Sequence, residues 1–487
     1  MSDYLLEIGT EEIPARFMPG MLKDLEETAK AKLNAQRISF SGLRTLGTDR
    51  RLVLFISNIA EQQGDLKEEL KGPPSSVNEQ AKLGFCKKNN IDADSLQVRD
   101  GYFYGQRHLK GQPVKEIFPA LLIDIISSLH LPIAMRWGNE DFKFIRPIHW
   151  FLSLWDKEVI SFKLAGIESG RFSRGHRFLR AFGRISGDKG VEVASTADYL
   201  KTMEENFVFV DQDKRKEKIR HDLKNHPEVR QGEVLIDEDL LSEVTFLNEW
   251  PVVLLDLFDE KYLELPKEIL ITTKKKNQKY FPIINEKGEL LTGFLLVANS
   301  NHNEKNILDG NKKVLTARLE DARFFFTEDM KTPLNDRVEG LKKIVYQAKI
   351  GTLYEKLQRV EKLAEWLAGS FKNIKNEELK QAVWLCKADL ASNVVYEFPE
   401  LQGTMGRIYA RKEKLPTAVC EAIFEHYLPR FAGDVLPETE MGTIISVADK
   451  VDSICSCFAA DLIPSGSQDP YALRRAAAGI INILMAR

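Results

Sequence analysis

Cysteine is scarce and scattered in this sequence: Cys86, Cys386, Cys420, Cys455 and Cys457 are the only five in 487 residues. So few thiols, odd in number, exclude a disulfide framework and fit a reducing compartment. Only Cys455 and Cys457 lie close, as C-x-C without a second pair, and the eight histidines do not supply the spacing of a four-ligand zinc site, so no metal ligand is assigned. Long apolar runs are missing too. "FPALLIDIISSL" is too short and too polar to cross a bilayer, and "MSDYLLEIGTEEIPARF" lacks the basic n-region and apolar stretch of a secretory signal. These absences predict a cytoplasmic protein with no membrane partner. Nor is there an excess of one charge: 69 Lys and Arg against 72 Asp and Glu leave a formal charge of −3, so any polyanion site must be a local patch.

Catalytic signatures are equally sparse. No G-x-x-x-x-G-K-[ST] and no G-x-G-x-x-G after a strand is present, so neither common phosphate cradle exists. A G-x-S-x-G elbow is absent, and no cysteine has a nucleophile's context. Arg318-x-Glu320 has a spacing that suits a nucleotide clamp, but its surroundings are helical and a surface pair is the better reading. His221-Asp222 is the doublet of metal phosphohydrolases, yet its neighbours are lysine and arginine instead of further ligands, which favours a solvated helix. Glu11-Glu12 and Glu320-Asp321 are adjacent carboxylates, whose side chains diverge on a helix or strand; both read as surface or capping groups. No catalytic residue is assigned.

The hydrophobic pattern predicts an α+β multidomain chain: α+β segments over 1–185 and 186–340, then an all-helical region over 341–487. "DYLLEIGT" and "RRLVLFISNI" read as strands, the latter with Leu52, Leu54 and Ile56 on one face; "MLKDLEETAKAKLNAQ" reads as an amphipathic helix. Residues 64–78, with a charge run and Pro-Pro-Ser-Ser, read as a loop. "VDQDKRKEKIRHDLKNH" suits a capped, exposed helix. "KYFPII" and "LTGFLLVANS" form a hairpin about "NEKGE". In the last region Leu353, Leu357, Val360, Ala364 and Leu367 step by four and three before Gly369, and Leu379, Val383, Cys386, Leu390 and Val394 repeat the stepping. The sequence stops within the helical run "ALRRAAAGIINILMAR", which reads as a chain cut short.

Two basic segments carry interleaved aromatics. "TTKKKNQKYFPI" places Lys274, Lys275, Lys276 and Lys279 before Tyr280 and Phe281, in a predicted loop feeding the hairpin. "GRFSRGHRFLRAFGR" alternates Arg171, Arg174, Arg177, Arg180 and Arg184 with Phe172, Phe178 and Phe182. Arginine binds phosphate and stacks on bases, so RNA with unstacked bases is the best polyanion candidate. The competing reading puts the phenylalanines on a strand's core face and leaves the arginines in water.

Seven ordered segments carry a family likeness: "LLEIGTEEIPARFM", "MRWGNEDFKFIRPIHW", "GIESGRFSRGHRF", "QKYFPI" with "GNKKVLTARLEDARFFF", "YEFPELQGTMGRIYA", "PRFAGD" and "GSQDPYALRRAAAGI". Together they resemble the β subunit of bacterial glycyl-tRNA synthetase of the two-subunit type. The resemblance implies an α2β2 ligase in which the α subunit holds glycine, ATP and Mg2+, while the β subunit binds tRNA(Gly) and is itself noncatalytic. No cofactor is expected in this chain. The resemblance also implies that the helical region is related to HD phosphohydrolases. Ala388 in "KADLASN" then stands in place of the metal-binding imidazole, Asp389 remains, and Asp449 in "VADKVDS" takes the place of the terminal aspartate. A methyl group cannot coordinate a metal, so the expectation is a dead hydrolase scaffold. The family continues into a C-terminal anticodon-binding domain, before which this sequence ends. Two alternatives stay open: an HD-type metal-dependent phosphohydrolase, and a structural scaffold whose basic segments touch only protein.

Overall fold

The computed structural model describes residues 2–179, 190–466 and 469–486, with Lys276 and Asn277 described by their backbone alone. The chain divides into two compact units, one of Met1–Leu255 with Leu295–Ile307, the other of Asp256–Phe294 with Leu308–Arg487. Each unit is therefore built from two stretches of chain, a division that local composition does not announce. The expected boundary near 185 lies outside the described residues.

The first unit is organised by a sheet of seven strands. Its members are Ser2–Thr10 (β1), Gly42–Thr48 (β2), Arg51–Ile59 (β3) and, beyond a separate small sheet of Leu66–Pro74 (β4), Gln97–Arg99 (β5) and Tyr102–Leu109 (β6), the strands Ile148–Trp155 (β7), Glu158–Val159 (β8), Lys163–Leu164 (β9) and Ile167–Gly170 (β10). The order is β2-β3-β1-β7-β10-β9, with β8 on β7; β10 runs parallel to β7 and the β1, β2, β3 and β7 pairings are antiparallel. Alternation decides what each face buries. Tyr4, Leu6 and Ile8 join Leu52, Leu54 and Ile56, as the period predicts, in a core closed by the helices Met18–Ala35 (α1) and Val114–Ser127 (α3, following Glu79–Asn89 as α2). Leu5, Val53 and Leu154 face the other way, against Tyr199, Met203 and Val208.

The charge run at 66–74 departs from expectation: it is the strand β4, not a loop. Its partner β6 lies across the small sheet, and the register sets Glu68 opposite Arg107 and Leu66 opposite Leu109. Ladder pairing with β6 fixes a strand that its own sequence does not favour, and Pro74 falls at the strand's end, where its missing N–H is tolerated. The helix Gln212–Lys224 begins as expected, with the Asp211 carboxylate accepting from the N–H groups of Asp213 and Lys214. It is not wholly exposed, because the buried Arg215 donates to the carbonyls of Thr245 and Gly47 at 2.8 Å each.

The hairpin stands as predicted, its second strand passing from the second unit into the first at Leu295. Phe281–Ile284 and Leu290–Ala298 are joined by a turn in which Gly288, at φ +75°, donates to the Asn285 carbonyl. Leu353, Leu357, Val360 and Ala364 are buried on the helix Leu353–Ala368, which opens with a capping box of Thr352 and Glu355. Leu379, Val383, Cys386 and Val394 are buried likewise, while Leu367 and Leu390 are only partly so. A short antiparallel pair, Val345–Gln347 with Gly351–Thr352, interrupts the helical region near its start.

Candidate functional site

Polar chemistry in the first unit concentrates where β1 ends and β3 and β7 begin. Glu7 and Gly9 share the face of Leu5, and the register places Gly9 between Arg51 and Trp150. Glycine is required there: a Cβ at position 9 would lie 1.9 Å from the Trp150 ring. The indole therefore lies across β1, with the guanidiniums of Arg50, Arg51 and Arg174 at 5.8, 5.6 and 5.5 Å from its centre. Arg51 is fully buried. It donates to Glu249 Oε1 from Nε (3.0 Å) and Nη2 (2.8 Å) and faces Glu7 Oε1 at 3.5 Å, while Ser173 Oγ and Trp150 Nε1 also donate to Glu7. Burying two carboxylates is tolerable because the same guanidinium serves both, with the hydroxyls of Ser173 and Tyr199 donating to Glu7 and that of Thr48 to Glu249.

At the edge of this network Glu11 and Glu12 converge, contrary to the expectation that neighbouring carboxylates diverge. The chain has left its extended form after Thr10, so both reach Arg177, at 2.6 Å each. His149 Nε2 lies 3.0 Å from Glu11 as well. The hydrogen bond from Arg177 holds the Glu11 carboxyl down to about 2. We expect Arg177→Met to return Glu11 toward the usual value of about 4.3 in a carboxyl-carbon NMR titration, with little loss of stability because the pair is more than one-third exposed.

The basic segments fare unevenly. Arg177 is thus engaged by protein carboxylates, Arg171 donates to the Lys157 carbonyl at 3.0 Å, and Arg174 is exposed beside Trp150. Arg180, Phe182 and Arg184 lie outside the described residues. The core-face reading of the phenylalanines does not hold: Phe172 and Phe178 are 48% and 55% exposed, while Ser173 and His176 turn inward. The lysine segment is helical, not a loop, continuing the helix Lys267–Thr273 as a π-turn over Lys274–Gln278 that ends at Lys279 with φ +59°. Lys274, expected at the surface, is buried. Its amine makes no hydrogen bond and lies 3.7 Å from the centre of the Phe258 ring. Lys275 and Lys279 are partly exposed.

A family profile described as the glycyl-tRNA synthetase beta subunit matches residues 4–487. The chain belongs to the glycyl-tRNA synthetase beta subunit family. It is 43% identical to the glycine–tRNA ligase beta subunits of Desulforamulus reducens and Syntrophus aciditrophicus, covering 99% of this chain and 70% and 71% of those proteins. Against the beta subunit of Clostridioides difficile the identity is 42%, over all of this chain and 72% of the relative.

Within this beta-subunit family member, Asp389 and Asp449 belong to one buried cluster built around lysine. Asp449, on the helix Glu440–Ala459, has Lys387 Nζ at 3.1 Å and Lys356 Nζ at 3.3 Å from Oδ1. Burial alone would raise its pKa, but the two ammoniums outweigh that and hold it well below the usual range. His426 Nδ1 donates to the Ile423 carbonyl at 2.7 Å, since a carbonyl can only accept, so Nε2 keeps its lone pair and points it at Lys387 Nζ, 3.2 Å away. Burial, then the Lys387 charge, keeps this imidazole neutral. Asp389 Oδ2 accepts from the N–H groups of Gly403 (2.6 Å) and Gly406 (2.9 Å), and burial pushes its pKa up to about 6. Ala388 is buried in the same turn and contributes no ligand atom. Lys356 also donates to Asp452, which Arg359 holds at 2.6 Å. Among the described residues no group of three or more His, Cys, Asp or Glu side chains is arranged to hold a metal ion.

The remaining motifs are structural. Arg318 and Glu320, both on the helix Glu304–Asp329, do not pair with each other: Glu320 accepts from the Tyr262 hydroxyl and meets Lys261 at 2.7 Å, while Arg318 faces Glu397 at 3.9 Å. Asp222 pairs along its own helix with Lys218, and His221 is exposed. Sequence reasoning passed over Glu7, Arg51, Glu249, Lys356, Lys387 and His426. One signal was available: Glu7 interrupts the apolar run "YLLEIG" of a strand buried on both faces, and a lone acid there requires a buried partner.

Proposed function

We propose that this chain is the tRNA-binding, noncatalytic β subunit of a cytoplasmic glycine–tRNA ligase, acting with an α subunit in an α2β2 assembly to glycylate tRNA(Gly). The observation that carries this reading is the family match, continuous from residue 4 to 487. In this reading ATP and Mg2+ act in the α subunit, and the β subunit supplies shape and positive potential to the RNA. The phosphohydrolase alternative gains no support at Asp389 and Asp449: two ammonium groups lie within 3.3 Å of Asp449 Oδ1, and backbone N–H groups hold Asp389 Oδ2. The deciding experiment measures glycylation by α alone, by α with this chain, and by α with a longer β subunit; activity is expected only when β is present. Formation of glycyl-adenylate by the isolated chain would overturn the proposal.

Phosphate contact falls to Lys275, Lys276 and Lys279, with Arg171 and Arg174 as the second group and Arg180 beside them in sequence; Arg177, expected among them, joins only where the phosphate displaces Glu11 and Glu12. Lys274 is withdrawn from the direct contacts because its amine is buried. Each phosphate neutralised contributes about 0.9 to the slope of log affinity against log salt. Replacing Lys275, Lys276 and Lys279 together by alanine is expected to weaken tRNA binding and to flatten that slope by about 2–3. An unchanged slope would remove the segment from the interface.

A further inference from the structure

Where β1 ends and β3 begins, four buried side-chain atoms have no hydrogen-bonding partner: Asp49 Oδ1, Arg50 Nε, Arg50 Nη1 and His176 Nε2. Their residues are 7%, 7% and 1% exposed. Buried polar groups are nearly always satisfied, so three such residues around one neighbour, Glu249, call for a missing partner. The nearby protein groups do not provide one. Glu249 commits Oε1 to Thr48 and Arg51, and its Oε2 stays 3.9 Å from Arg50 Nη1. Asn299 faces the His176 ring with its side chain and its backbone, but Oδ1 has both lone pairs taken by the N–H groups of Glu249 (2.7 Å) and Trp250 (3.0 Å), and neither contact closes into a well-formed hydrogen bond with Nε2.

The protonation states follow from the same contacts. His176 Nδ1 accepts the N–H groups of Phe178 (3.2 Å) and Leu179 (3.1 Å), which puts the ring proton on Nε2 as an unused donor. Burial keeps the ring neutral. Asp49 is pushed up to about 8, by burial and then by the Glu249 charge, so it retains its proton at neutral pH and is a further donor. Donors therefore outnumber acceptors, and the complementary ligand is rich in acceptors. We infer that Arg50, His176 and Asp49 form a binding site for an oxyanion, a phosphate or a carboxylate. The guanidinium of Arg174 on the same indole adds positive potential, whereas Arg51 is already committed to Glu7 and Glu249, and Arg177 to Glu11 and Glu12.

This inference does not depend on the tRNA reading. Inorganic phosphate and acetate are titrated separately into the protein, with chloride adjusted to constant ionic strength, and binding is followed by calorimetry and by Tm. At least one oxyanion should bind saturably and raise Tm above the chloride control, phosphate alone identifying a phosphate source and acetate alone a carboxylate. Arg50→Met and His176→Phe should each weaken that binding at least tenfold, while Lys201→Ala should leave it unchanged. Responses equal to chloride, or binding indifferent to both variants, would overturn the site. Where a variant does not fold, arsenate and 3-bromopropionate soaked separately into wild-type crystals decide by anomalous scattering: a peak from either beside Arg50 and His176 upholds the site, and the absence of both there overturns it.

Discussion

Replacing Asp449 by alanine is expected to destabilise the helical region by about 3–5 kcal/mol, the usual effect of removing one partner from a buried ion pair. The carboxylate is the shared counter-ion of Lys356 and Lys387, whose side chains are 3% and 5% exposed. Lys356 keeps Asp452 and the Ser453 hydroxyl after the change, so it loses only part of its compensation. Lys387 keeps the neutral imidazole of His426, which accepts one hydrogen bond, and the Tyr427 ring 4.7 Å away, neither of which carries a charge. The damage therefore falls mainly on Lys387, and adding Lys387→Met to Asp449→Ala should recover most of the lost stability, since a hydrophobic replacement of a buried pair is often neutral. Urea unfolding followed by circular dichroism measures both variants. Wild-type stability in Asp449→Ala would mean that the ammoniums do not depend on this carboxylate.

Lys274→Met is expected to do the opposite and stabilise the protein, by about 2–4 kcal/mol at pH 7 and below. The Lys274 amine has no hydrogen-bond partner, and burial alone lowers its pKa from 10.5 to about 7. Below pH 7 the amine is charged in both folded and unfolded chains, and the folded state bears the full penalty of a buried charge. Between pH 7 and 10.5 the unfolded chain binds more protons than the folded one, so wild-type stability rises with pH across that window. Above 10.5 both forms are neutral and the penalty is gone. Cation–π attraction to Phe258, at 3.7 Å, offsets part of it, which is why the expected gain falls short of the full pKa shift. Chemical denaturation at pH 6.5, 8.5 and 10.5 should show the advantage of Lys274→Met shrinking stepwise. An advantage that is constant with pH would show that Lys274 does not titrate in this range.

Lys274 also marks where a sequence stops being informative. Four lysines in six positions read as a solvated cluster, because water is the ordinary place for an ammonium. Only the docking of the helix and its π-turn beside Phe258 and Phe294 turns the first of them inward. At Phe172 and Phe178 it is the competing core-face reading that fails: the strand containing Phe172 is two residues long and has no sheet face to impose the period. By contrast, β1, β3 and α1 were legible, because each buries a continuous stripe whose period is written locally. The strand β4 was not, since what fixes it is its register against β6 some forty residues on.

The sequence by itself determined the family, the α+β character and the places of the main strands and helices, because ordered motifs and apolar periodicity are properties of neighbouring residues. Which charges are buried, and what neutralises them, was decided only by the tertiary structure. Arg51 and Glu249 stand 198 residues apart and Glu7 lies 44 residues from Arg51, so no local pattern records that a single guanidinium holds both carboxylates. Coulomb energy depends on distance through space and on the loss of water around the pair, and both are set only when the β1, β3 and β7 strands meet the loop that carries Glu249.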